Sequence, residues 1–165
     1  MSTPELARLG HVALETPDLA GSLAFYRDLV GLEEVDRADG TVYLRAVDEH
    51  DHHSLSLTEA DEAGVDHLGW QTTDPESLGA FAERLDERGV DVTRVPAGDE
   101  PGQGAAVRFE APSGHPFELY AEMAMPDPPE ERRSKLRNRL YDPLETRGIA
   151  PRRLDHMRSE ERRVG

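Results

Sequence analysis

Apolar and polar residues alternate from Arg8 to Glu15, with Val12 and Leu14 on one side of an extended chain and His11, Ala13 and Glu15 on the other. A period of two marks a strand with one buried face. Pro17 and Asp18 then supply turn and cap chemistry. Leu19, Leu23, Tyr26 and Val30 recur at helical spacing up to Gly31, which predicts a helix over 19–30. Three short alternating segments follow, Glu33 to Asp36, Thr41 to Ala46 and Ser54 to Glu59, the first two joined by Asp39-Gly40 as a hairpin. The predicted order is βαβββ.

The same order then returns. Val65 to Thr72 reads as a strand, Asp74-Pro75 starts a helix over Glu76 to Arg88, and Gly89 stops it. Strands are predicted at Val92 to Val95, Ala105 to Glu110 and Pro116 to Glu122, with Pro112-Ser113-Gly114 as the last turn. At an offset of 56 residues His11 meets His67, Thr16 meets Thr72, Asp18 meets Asp74, Phe25 meets Phe81 and Leu29 meets Leu85. The chain reads as a duplication, of class α+β, with units at about 8–59 and 65–122 forming one domain over residues 1–125.

Each helix must bury its apolar stripe on one face of its sheet, which leaves the other face free to be polar. Alternation puts Leu68, Trp70, Phe117 and Leu119 on the helix side and His67, Gly69, Gln71, Glu118 and Tyr120 on the opposite side, where His11 also falls. Two histidines and one carboxylate on one face are the ligand set of a non-haem Fe(II) site with open positions. Ser56 stands where the first unit would need its own glutamate, so one corner of that site lacks a protein ligand. Arg108 lies on the same face, placed to neutralise Glu118 or Glu110. Gln71 and Tyr120 read equally as ligand contacts or structural hydrogen bonds. His50, His52 and His53 sit among Asp48, Glu49 and Asp51 and read as a solvated turn. His115, after Gly114, reads as a packing residue in a tight turn.

Composition narrows the field. With 165 residues there is room for one well-buried domain and a tail. No cysteine is present, so thiolate metal sites and thiol nucleophiles are excluded. No apolar run is long enough to span a bilayer and the N-terminus lacks a signal-peptide pattern, so the expected location is cytoplasmic, with no membrane partner. The chain has 34 acidic and 19 basic residues, a net charge of −15, which disfavours nucleic acid as a partner. Lys135 is the only lysine, and an acidic, lysine-poor surface suits concentrated salt, so a salt-adapted (halophilic) source is expected. Phosphate loops, serine elbows and paired cysteine ligands are missing from the sequence.

From Met125 onward proline and alternating charge replace apolar periodicity, and residues 126–151 read as a linker in which Arg132 to Arg139 forms a basic helix against the acidic domain. After it, Asp155-His156 echoes Asp66-His67, as though a third unit began at 152–157. The last eight residues, RSEERRVG, break the apolar pattern expected there. They look like the translation of a common short-read sequencing adaptor, a non-native tail over 158–165.

The stretches LGHVALETPDL, GLEEVDRADGTVYLRA, SLTEADEAGVD and RVPAGDEPGQGAAVRFEAPSGHPFELYAEM resemble the catechol 2,3-dioxygenases, extradiol ring-cleaving enzymes of the vicinal oxygen chelate (glyoxalase and bleomycin-resistance) superfamily. The resemblance runs from Leu9 to Met157. It implies paired βαβββ units in two domains, of which this chain would hold the first and the opening strand of the second. It also implies Fe(II), or Mn(II), as cofactor, with a catechol-type aromatic diol and O2 as substrates and a homo-oligomeric assembly.

In that family the metal lies in the second domain, and only the first of its ligands has a match here, His156. The fragment as written would therefore be inactive. On this view His11, His67 and Glu118 are either a separate in-domain metal site or relics of duplication held by hydrogen bonds. Three functions stay open: part of an extradiol dioxygenase, a stand-alone glyoxalase-like metal-dependent module, or a metal-free small-molecule binding domain.

Overall fold

The structure, a computed structural model, describes residues 3–127, 130–133 and 148–158. The first unit holds β1 (Leu6–Thr16), α1 (Leu19–Leu23), β2 (Glu33–Ala38), β3 (Thr41–Arg45) and β4 (Leu55–Glu59). The second holds β5 (Gly64–Thr72), α2 (Pro75–Glu87), β6 (Thr93–Val95), β7 (Ala106–Glu110) and β8 (Pro116–Tyr120). The strands form one sheet in the order β2-β3-β4-β1-β5-β8-β7-β6, with the two units meeting at the antiparallel β1/β5 pair. Both βαβββ units expected from the periodicity are present.

The first helix departs from the regular helix expected over 19–30. After α1 the backbone widens into a π turn at Ala24–Val30, closed by Gly31 at φ 90°. The Leu32 N–H donates back to the Tyr26 carbonyl, a longer reach than an α-helix allows. The second helix is regular, with Asp74 as N-cap and Pro75 in its first turn.

One face of the sheet is apolar and carries the helices. Val12, Leu23, Leu32, Val42, Leu44, Ala46, Leu55, Leu57 and Leu68 form the main core. A smaller cluster of Ala82, Val107 and Leu119 lies under α2. Strand β1 does not alternate throughout. A register shift between Leu9 and His11 in its pairing with β5 inserts Gly10 as a bulge. Leu9 thereby joins Leu68 and Trp70 on the apolar side, while Arg8 and His11 both reach the polar side.

Residues 152–157, expected as a strand, form none. Among the described residues two backbone bonds tie its entry to the loop after β3, Val47 N–H to Pro151 O and Asp48 N–H to Arg152 O, and beyond Arg152 the pairing does not continue as a ladder. Leu154 and Met157 nevertheless pack on the main core. Most of the predicted linker, including residues 134–147, and the tail from residue 159 lie outside the described residues. No described helix is long and apolar enough to cross a membrane.

Candidate metal centre

The β1/β5 pair sets the frame of the site. His11 lies opposite Gly69 and His67 opposite Ala13, and the offset of 56 exchanges these two pairs, so the histidines are related by the internal symmetry. Strand β8 runs parallel to β5 with Glu118 beside Gly69, and β7 places Arg108 beside Glu118. Gly69 therefore sits between His11 and Glu118. Any Cβ there would overlap the His11 ring, so the absence of a side chain is what allows the imidazole to lie over the strand.

All three residues singled out in the sequence are buried together, His11 and Glu118 at 0% exposure and His67 at 1%. The His11 and His67 Nε2 atoms are 2.9 Å apart. Glu118 Oε1 lies 3.6 Å from His11 Nε2 and 3.7 Å from His67 Nε2. His156 is not among them. It lines a hollow with Leu9, Leu68, Trp70 and Phe117 on the apolar side of the sheet, and its exposed imidazole bonds to Asp155, at 3.1 Å.

Two long loops complete the cluster with residues that strand alternation could not place. The segment between β6 and β7 brings in Glu100, whose Oε1 is 3.3 Å from His67 Nε2 and whose Oε2 is 3.7 Å from His11 Nε2. It also brings Gln103, which donates from Nε2 to Glu118 Oε1 at 2.7 Å. The segment between β3 and β4 brings in His53, at 3.5 Å from Glu100 Oε2. That segment is not the solvated turn expected of it, because His53, Asp48, Glu49 and Asp51 are all buried. Their charges are met inside the fold: Arg8 pairs with Glu49 and Asp51, and Arg152 with Asp48. A run of polar residues carries no period, so nothing in the sequence distinguished this inward loop from an outward one.

The remaining expectations divide. Arg108 spans both carboxylates, 2.6 Å from Glu118 Oε2 and 2.6 Å from Glu100 Oε1. Gln71 and Tyr120 make structural bonds, Gln71 with Arg8 and the Ala121 carbonyl, Tyr120 with Asp51. His115 pairs with Ser113 in its turn. Ser56 is buried at the position equivalent to Glu118.

Burial dominates the electrostatics. Desolvation, reinforced by His53, His67 and Arg108, keeps the His11 imidazole well below its ordinary pKa, in the neutral form that binds cations. Burial raises Glu118, although His67 and Arg108 pull against it. Burial would also raise Glu100, but His53, His67 and Arg108 together outweigh it and hold this carboxyl below its usual range. Asp66 accepts a 2.6 Å bond from His67 Nδ1, which lowers the Asp66 pKa. The bond to Asp66 fixes the His67 ring with Nε2 toward the cluster.

This architecture has known counterparts. Residues 65–124 match the family model described as the catechol 2,3-dioxygenase-like N-terminal domain. The chain is 49% identical over 155 residues to a manganese-dependent 2,3-dihydroxybiphenyl 1,2-dioxygenase from Geobacillus genomosp. 3, covering 94% of this chain and 49% of that protein. The chain is a catechol 2,3-dioxygenase-like member of the vicinal oxygen chelate superfamily. A metapyrocatechase from Geobacillus stearothermophilus is 35% identical over 153 residues, 93% of this chain and 46% of its own length. The crystal structure of the 2,3-dioxygenase LapB from Pseudomonas sp. KL28 superposes with a TM-score of 0.81 at 36% identity, over 94% of this chain and 53% of that one. This superfamily member thus spans about half the length of the relatives it matches.

Proposed function

We propose that this chain is the N-terminal portion of an extradiol dioxygenase that opens catechol-type aromatic rings with O2, using Fe(II) or Mn(II). The carrying observation is that 94% of the chain aligns with a dioxygenase of which it spans about half. On this reading residues 1–125 are the first domain, 126–151 a linker, 152–157 the entry to a second domain and 158–165 a non-native tail. His156 takes the position of the first metal ligand. The bound ion would supply adjacent open positions for both hydroxyl oxygens of the diol and for O2. One exposed imidazole with a single carboxylate neighbour does not hold such an ion, so no step of ring opening is assigned to residues of this chain. The strong acidic excess supports a salt-adapted cytoplasm, and the exposed Phe25, Leu29, Met125 and Ile149 support a homo-oligomer.

The test is to amplify the gene from source DNA past the Met157 codon and assay the products for ring fission of catechol after anaerobic loading with Fe(II) or Mn(II). The expected reading frame continues into a further pair of βαβββ units with a second histidine and a late glutamate, and the longer protein opens the ring while the 165-residue chain does not. A stop codon near Met157, or source DNA that encodes RSEERRVG followed by a stop, overturns this reading. The buried histidine and carboxylate cluster favours a second one, a glyoxalase-like metal-dependent module that acts by itself. Turnover by the 165-residue chain alone would select it.

A further inference from the structure

We propose that His11, His67, Glu100 and Glu118 hold one divalent first-row transition ion within this chain. This goes beyond the ring-cleavage reading and uses none of the residues that reading invokes. Four side chains from β1, β5, β8 and the β6–β7 loop place one donor atom each within 4.8 Å of all the others. Donors about 2.1 Å from a common ion lie about 3.0 Å apart at right angles and about 3.4 Å apart at tetrahedral angles. The separation of the two imidazoles, 2.9 Å, and their distances to the nearest carboxylate oxygens, 3.3 to 3.7 Å, lie within a few tenths of an ångström of those values.

Unmet hydrogen-bonding capacity points to the same place. Glu100 Oε2 and His53 Nε2 are buried without a hydrogen bond, and both face the cluster, 3.5 Å from each other. Buried polar atoms are rarely left so. The charges are also uneven. Glu100 and Glu118 share one guanidinium, that of Arg108, a single cationic side chain for two buried carboxyl groups. A divalent cation supplies the opposite sign at the point where four donors converge.

The surrounding bonds are those that hold ligands in place. Asp66 fixes the His67 ring through Nδ1, the carboxylate–histidine arrangement of metal sites. Arg108 and Gln103 fix both oxygens of Glu118. Two imidazoles with two carboxylates suit Mn(II), Fe(II) or Zn(II) better than the all-oxygen ions Ca(II) and Mg(II).

The experiment uses the 165-residue chain, stripped with a chelator and titrated anaerobically with Mn(II), the loss of the free-ion electron paramagnetic resonance signal giving the stoichiometry. One Mn(II) per chain is expected, displaced by Zn(II) and not by Mg(II), with a rise in melting temperature on loading. Asp66→Ala removes a half-exposed positioning residue that touches only one ligand, and should weaken Mn(II) binding about 10- to 100-fold while the metal-free chain stays folded. Glu100→Gln should weaken it further. If Glu100→Gln does not fold, Asp66→Ala decides alone. The absence of saturable Mn(II) or Zn(II) uptake overturns the proposal and leaves a proton-sharing hydrogen-bond cluster. Uptake that is unchanged by Asp66→Ala overturns it equally. Ring fission is not measured, so failure here leaves the dioxygenase reading untouched.

Discussion

In the first half of the molecule β4 places Ser56 beside Ala13; in the second, β8 places Glu118 beside Gly69. The backbone pairing is the same, residue for residue, with β1 and β5 offset by 56 positions and β4 and β8 by 62. The two halves also lengthen different connections. The first makes a tight β2–β3 hairpin and a long β3–β4 loop, and the second makes a long β6–β7 loop and a tight β7–β8 turn. Both long loops fold over the same polar face, one delivering His53 and the other Glu100 and Gln103. Duplication thus supplied a symmetric frame and a symmetric pair of histidines, while the carboxylates came from one half only. The apolar side is unequal too, with nine buried residues in the main core and three under α2.

Equivalent leucines measure that inequality and give the largest expected effect. Leu57 sits in the main core at 1% exposure and Leu119 in the small one at 5%. Leu57→Ala should cost about 4 kcal/mol and Leu119→Ala about 2–3 kcal/mol, because the better-packed site relaxes less around the cavity. Urea unfolding of the two variants gives the difference. Equal costs would mean that the second half is as firmly packed as the first.

The polar pair comes next. Glu118→Gln places an amide between two donors, Arg108 and Gln103, and removes the charge that Arg108 was held to meet. The expected cost is about 3 kcal/mol, at the lower end for a broken buried pair because Arg108 keeps Glu100 and is partly solvated. Ser56→Ala at the equivalent position should cost less than about 1 kcal/mol. Denaturant midpoints with unchanged slopes test both, and a costly Ser56→Ala would show that the first half carries hidden polar work of its own.

The helix caps give the smallest effect and the sharpest dependence on pH. Asp74 caps the 13-residue α2, accepting from the Ser77 N–H at 2.6 Å, whereas Asp18 caps the 5-residue α1 at 2.8 Å from Gly21 N. The bonds to the Ser77 backbone and hydroxyl hold the Asp74 pKa below its ordinary value. Its stabilisation is therefore complete above the unfolded value of about 4 and fades as pH falls through the folded value. Asp74→Ala should lower the melting temperature by a few degrees at pH 7, more than Asp18→Ala does, and the gap from wild type should shrink on acidification. A gap that stays constant into strong acid would show that the cap acts without its charge.

Two periodicities, one of two residues and one of 3.6, were written in the chain and determined most of the fold. They fixed the two βαβββ units, the polar and apolar faces, and the convergence of His11, His67 and Glu118, because alternation decides on which side of a sheet a side chain falls. Tertiary structure alone decided the rest. The bulge at Gly10, where a side chain would overlap the Tyr120 hydroxyl, switched the sides of Leu9 and Arg8. The π turn replaced a regular helix in a segment that did carry the helical period, whereas the burial of His53 and the arrival of Glu100 arose in segments without one. Such segments take their direction from the charges they find, here the guanidinium groups of Arg8, Arg108 and Arg152, and those partners lie up to 104 residues away in sequence.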